Sequence, residues 1–231
     1  MPILEILTSS GFGSLLGMRH ALEPDHLAAV STLVSSERRG YRAALLGMCW
    51  GIGHTVAIVL VGASLVLLRA EMPAPLADFF ELLVAFMLVG LGLRAIHSAA
   101  RQGPQGPVHL HRHGGVVHQH AAIPAHVHIG GWTLARRPLI VGAIHGLAGS
   151  GTLTALVLTT LPSTAARLTY MALFGLGSTV GMAALSGLLG WPIARFGAHH
   201  AVIRAVSLLV GTMSTVLGIA WGYPLVARLF T

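Results

Sequence analysis

Six long apolar stretches account for most of this chain and limit what it can fold into. They run at roughly 3–33, 43–68, 77–97, 138–161, 168–190 and 202–227, each close to or above the 20 or so residues a helix needs to cross a bilayer. Breakers separate them: Glu37-Arg38-Arg39-Gly40, Met72-Pro73-Ala74-Pro75, a long polar loop, Pro162-Ser163 and Trp191-Pro192. Membrane strands would alternate in runs of about ten residues. These runs are longer and rich in Leu, Val, Ala and Gly, so they read as helices. The expected fold is an all-α integral membrane protein with six transmembrane helices.

Charge agrees. Asp, Glu, Lys and Arg make up 9% of the 231 residues, against about 25% in an ordinary soluble domain. A soluble fold would have little with which to cover its surface, whereas a lipid-facing one needs little. The formal charge of +7 does not mark a nucleic-acid partner: there is no lysine, and the arginines are scattered between apolar blocks. Without lysine there is no Walker A loop and no built-in ATPase. Cys49 is the single cysteine, so neither an internal disulfide nor a Cys-x-x-Cys site exists. No Arg or Lys precedes the first apolar block, so no signal peptide is expected.

Arginine placement orients the bundle. The stretches 35–42, 94–137 and 191–204 hold Arg38, Arg39, Arg42, Arg94, Arg101, Arg112, Arg136, Arg137, Arg195 and Arg204; the opposite side holds Arg69, Arg167 and Arg228. Excess arginine marks the cytoplasmic side. The loop at 100–137 is then cytoplasmic, both termini lie outside, and the location is the cytoplasmic (inner) membrane.

The blocks repeat. Gly17-Met18-Arg19-His20-Ala21-Leu22 is similar to Gly142-Ala143-Ile144-His145-Gly146-Leu147, and Gly51-Ile52-Gly53-His54-Thr55-Val56 to Gly175-Leu176-Gly177-Ser178-Thr179-Val180. The offsets, 17 to 142 and 51 to 175, are 125 and 124 residues. Three helices per repeat is an odd number, so the halves, 1–99 and 138–231, are expected to be inverted, with a site near the midplane between them. Rocking of the halves would then expose that site to either side.

Arg19, His20, Glu23, Asp25 and His26 put five ionisable residues in eight positions of one span. Each charge costs about 2.5–3.5 kcal/mol at the bilayer centre, so such groups mark function. On an unbroken helix His20 and Asp25 would stand about 140° apart and His20 and His26 about 240°, too splayed to share an ion. Pro24 lacks an N–H and clashes with the carbonyl of His20. The helix should kink or unwind there, turning both imidazoles and the carboxylate inward and freeing that carbonyl. Imidazole and carboxylate suit Zn, Ni, Co, Cu or Fe rather than Mg or Ca. His54 is a natural fourth ligand, and His145 a fifth candidate. Glu23 reads as an outer partner. In the second half Gly149-Ser150-Gly151-Thr152 replaces Pro24-Asp25-His26-Leu27, and Ser178 replaces His54, so that half offers the hydroxyls of Ser150, Thr152 and Ser178. A histidine site loses affinity below about pH 6, because its ligands must be deprotonated.

Seven histidines (His109, His111, His113, His118, His120, His126 and His128) fall within residues 109–128 among Gly and Pro. This reads as a disordered tract with metal affinity, able to gather or sense metal.

The run His20-Ala21-Leu22-Glu23-Pro24-Asp25-His26 resembles the signature of the nickel/cobalt transporter family, a His, four residues, then Asp-His on one membrane helix. Gly53-His54-Thr55-Val56 resembles its second motif, and the Gly-rich run from His145 to Thr154 looks like the third region of the shorter six-helix, UreH-like members. The resemblance implies passage of Ni²⁺ or Co²⁺ as cargo, no resident cofactor and no enzymatic activity, with His20, Asp25, His26 and His54 as the carried-over residues. It also implies a place in urease or hydrogenase maturation. The sequence departs from the family at Glu23-Pro24 and lacks the Asp-Thr-rich third motif of the larger members, which leaves substrate range open. Family members include importers and exporters, so direction is open too.

Other readings remain. The same scaffold could carry another small solute, such as an anion, amino acid or sulfur compound. His20 and Asp25 also fit the His-four-Asp motif of glycerolipid acyltransferases, but here no soluble domain surrounds it and the motif runs on to His26. A thiol-redox carrier would need two intramembrane cysteines.

Overall fold

A computed structural model describes residues 2–35, 37, 40–101, 109–113, 116–120, 126–129, 132–196 and 200–228. Its helices are α1 (Pro2–His20), α2 (Pro24–Val34), α3 (Gly40–Leu68), α4 (Ala74–Arg101), α5 (Arg136–Thr160), α6 (Thr164–Phe196) and α7 (His200–Arg228). Helices α3 to α7 are long and apolar enough to cross a membrane, which makes this a multi-pass helical membrane protein. Leu60, Phe86, Leu188 and Ile219 are exposed on their outer faces, a distribution that suits lipid and not water.

Six helices were expected; among the described residues there are seven, because the first apolar block is divided. Its break is local chemistry. Leu22 N–H donates to Arg19 O (2.9 Å) and Glu23 N–H to His20 O (3.0 Å), tightening the end of α1 into i→i+3 turns. Glu23 is extended (φ −64°, ψ 149°), as a residue before proline prefers. Pro24 then opens α2 at its first position, where a missing N–H costs nothing. The proline starts a second helix instead of kinking the first. The His20 carbonyl, expected to be free, is taken up by Glu23.

Packing is interlaced. α3 packs along α6 and α5, α1 along α6, and α4 along α7; α2 touches α7, α4 and α6. Glycine permits the close crossings. A methyl on Gly17 would collide with Phe174 O and one on Gly142 with Trp50 O; one on Gly53 would meet Leu139 O and one on Gly177 Ser14 O. Lipid gives helices no hydrophobic reason to associate, so such close contact, with interhelical hydrogen bonds, holds the bundle. Thr55 Oγ1 donates to Gly175 O at 2.7 Å and Ser214 Oγ to Leu88 O at 2.9 Å. Bonds of this kind are worth about 0.6 kcal/mol on average. Trp50, Val30, Leu88 and Met182 fill one buried core and Ile58, Val157 and Met171 a second.

The loop at 100–137, expected to lack fixed structure, carries two antiparallel pairs: β1 (His109–His113) with β2 (Val116–His120), and β3 (His126–Ile129) with β4 (Trp132–Ala135). The register sets His109 opposite His120 and His111 opposite His118.

Candidate metal centre

The division of the first block brings two helix ends to one place. α1 stops with Arg19 and His20 in its last turn, and α2 starts with Asp25 in its first. Both charges suit the helix dipoles they meet, basic groups at a C-terminus and an acid at an N-terminus. His54 is the central residue of α3, with fourteen residues on each side (40–53 and 55–68), roughly 21 Å of helix in each direction. His145 comes from α5.

These side chains converge. The His20 and His26 rings lie 4.4 Å apart, His20 and His54 5.3 Å, and His26 and His54 5.2 Å. His26 stacks on His145 at 4.1 Å. Exposure is 0% for His54, 1% for His26, 3% for His145 and 7% for Asp25.

Hydrogen bonds aim the rings. Glu23 Oε2 lies 3.0 Å from His20 Nδ1. Asp25 Oδ1 lies 3.1 Å from His26 Nδ1, and Oδ2 lies 2.7 Å from His145 Nε2. The opposite nitrogens, His20 Nε2, His26 Nε2 and His145 Nδ1, have no partner, nor does either nitrogen of His54. A buried polar atom without a partner costs about 1–3 kcal/mol, so four such imidazoles at one point could hold a ligand. A ring held at one nitrogen by a carboxylate and free at the other is the usual preparation of a metal-binding histidine. Two groups have ligand atoms within 4.8 Å of one another: His20, His26 and His54, and Asp25, His26 and His145.

The cluster opens into a cavity of about 780 Å³ lined by His20, Asp25, His26 and His145, with Glu81 of α4 and Trp221 of α7 across it.

His20, Asp25, His26 and His54, expected to meet, do meet, and His145 joins them through Asp25. Glu23 bonds His20 at its Nδ1. Thr152 lines the cavity. Ser150 is spent on its own helix, donating to Leu147 O at 2.6 Å. Ser178 is buried with no partner for its hydroxyl. The seven histidines of 109–128 lie in β1, β2 and β3. Sequence reasoning missed Trp50, whose ring lies 5.4 Å from His26 and 5.7 Å from His145, and Phe174, 5.2 Å from His20. Trp50 stands four residues before His54, on the same helix face, and that spacing was its signal.

No protein-family model matches the chain, and no solved structure matches it. Among curated proteins it is 34% identical to the urease accessory protein UreH of Bacillus sp. (strain TB-90), over 97% of this chain and 93% of that one. It is also 30% identical to the chloroplast protein FOR GROWTH AND FERTILITY 1 of Arabidopsis thaliana and 27% identical to FOR GROWTH AND FERTILITY 2, in each case over 80% of this chain. The chain spans about half the length of these two plant proteins.

Proposed function

The chain belongs to the UreH-like branch of the nickel/cobalt transporter family, and from that premise we propose that it carries Ni²⁺ or Co²⁺ across the bacterial cytoplasmic membrane. One observation carries the reading: His20, His26 and His54, from three helices, bring ligand atoms within 4.8 Å of one another, and each has a buried nitrogen with no partner. Imidazole with carboxylate suits borderline divalent metals. His20, Asp25, His26 and His54 handle the ion, and His145, bonded to Asp25, stands within reach of it. Supplying metal for urease or hydrogenase maturation is the role the resemblance implies.

α1 and α2 together make the first of six passages, a discontinuous helix of the kind that forms ion sites in transporters. The packing supports two inverted halves. Exchanging α1 with α5, α3 with α6 and α4 with α7 maps the four most extensive helix pairings onto one another. The same exchange turns Gly17 against Phe174 into Gly142 against Trp50, and Gly53 against Leu139 into Gly177 against Ser14. The arginine distribution supports a cytoplasmic 100–137 segment and external termini.

Rocking of the halves as two bodies would pull α3 off α5 and α6, and α1 off α6. Motion of the α4–α7 pair leaves those contacts intact, and the cavity lies between that pair and the other helices. We therefore assign the change of access to the α4–α7 pair.

The test is accumulation of radioactive nickel in cells expressing the native chain or His20→Ala at matched membrane levels. Higher accumulation with the native chain means uptake, and lower means efflux. Equal accumulation, repeated with cobalt, removes the metal reading.

A further inference from the structure

The two ligand groups share one residue, His26. The nitrogens of an imidazole diverge, so an ion on Nδ1 and an ion on Nε2 occupy different places. His26 Nδ1 faces Asp25, which also holds His145, while Nε2 is free. All three members of the Asp25–His26–His145 group line the cavity. In the other group His20 and His26 line it too, and His54 alone is fully buried and not among the lining residues.

We propose that these are two successive stations on one path: Asp25, His26 and His145 capture the ion from the cavity, and His20, His26 and His54 then select it, with His54 as the specificity-determining residue. The inference rests on the metal-transport reading above and adds an order and a division of labour.

The chemistry of each station fits its task. The capture station carries a carboxylate in a low-dielectric setting, where a dication is attracted strongly. It is the less selective of the two, because its carboxylate also accepts hard cations that three imidazoles refuse. The second station holds three imidazoles and no anion. Mg²⁺ and Ca²⁺ require oxygen ligands, so they reach the first station and stop. Ni²⁺ and Co²⁺ accept nitrogen and pass on. The second station also lacks the carboxylate's pull, so the ion leaves it more readily, and conduction requires a site weak enough to release. His26 serves both stations: as the ion passes from Nδ1 to Nε2, the ring's one N–H proton leaves Nε2, and Nδ1 takes up a proton that it again shares with Asp25. Glu23 holds His20 Nδ1, which leaves Nε2 for the second station.

The test uses the full chain, purified in detergent for calorimetric nickel binding and reconstituted in liposomes for uptake. His54→Ala and the near-isosteric His54→Asn are compared with His145→Ala, and thermal melting shows which variants fold. The expected result is that the His54 variants bind nickel with near-native affinity while uptake falls about 100-fold. His145→Ala is expected to weaken binding about 10- to 100-fold, with a raised KM and a largely kept maximal rate. His54→Asp, which adds an oxygen to the second station, should admit Mn²⁺ or Mg²⁺. Loss of binding in folded His54→Asn as complete as its loss of uptake overturns the two stations in favour of one shared site. His54→Asp as selective as the native chain overturns the filter. A native protein that neither binds nor takes up nickel or cobalt overturns the transport reading itself, which no variant result does.

Discussion

The two proposed halves of this chain share their glycine crossings and differ at the candidate site. In the first, α1 ends at His20 and α2 begins at Pro24; in the second, α5 runs unbroken from Arg136 to Thr160 through His145. The positions that hold Pro24, Asp25 and His26 in one half hold Gly149, Ser150 and Gly151 in the other. Without proline, α5 keeps its backbone ladder, and its hydroxyls turn back on it: Ser150 bonds Leu147 O and Thr154 bonds Ser150 O. Hydroxyls on a continuous helix find their own carbonyls first. At the break, by contrast, a carboxylate and two imidazoles reach other helices. On the proposed repeat the scaffold recurs and the chemistry does not, and the difference between the two is loss of helix continuity.

The strongest challenge to this contrast is Asp25→Ala against Ser150→Ala. Asp25→Ala strips the carboxylate from both His26 and His145, and nickel uptake should fall to background. Ser150→Ala should leave uptake within about twofold, a change of half a kcal/mol or less. Uptake assays giving equal losses would mean that the halves contribute alike.

Next in size is the break itself. Pro24→Ala restores an N–H and lets α1 continue. Uptake should fall about tenfold, a cost near 1.4 kcal/mol, while the melting temperature holds or rises. Gly149→Pro would place a proline inside α5 and should destabilise by about 3 kcal/mol, read as a lowered melting temperature. If Pro24→Ala transports normally, the interruption is held by tertiary contacts and not by proline.

A smaller effect sharpens the likeness of the halves. Gly17→Ala and Gly142→Ala each force a methyl against a backbone carbonyl, of Phe174 and Trp50 respectively. Each should cost about 1–3 kcal/mol, by similar amounts. Gly90 has nothing within 4 Å of an added methyl, so Gly90→Ala should be neutral or stabilise by up to about 1 kcal/mol. Thermal melting of all three settles whether the crossings are equivalent.

The least effect is expected in the segment between the halves. Replacing its seven histidines by serine should leave maximal uptake unchanged and lower uptake at limiting nickel by about threefold, less than 1 kcal/mol.

The sequence carried the apolar spans, the break and the candidate residues that the fold brings together. Bounds of the helices follow the apolar blocks within a few residues, because length in a bilayer is set by hydrocarbon thickness. The interruption before Pro24 is a property of proline and the residue before it. A cost for burying charge marked His20, Asp25 and His26 without reference to any neighbour. Other features were not legible. Trp50 and Phe174 are ordinary apolar residues until their rings are set against His26, His145 and His20. The carbonyl of His20 looked free until the turn at 21–23 was seen to use it.

What only the tertiary structure decided is which atoms face which. Asp25 and His145 are 120 residues apart and 2.7 Å apart in space. That contact depends on how α2 and α5 are rotated and how deeply the helices approach, which crossings at Gly17, Gly53, Gly142 and Gly177 fix. A local pattern states what a helix can offer. Its rotation against a partner, set by packing along its whole length, states which imidazole nitrogen is aimed at a carboxylate and which is left for an ion.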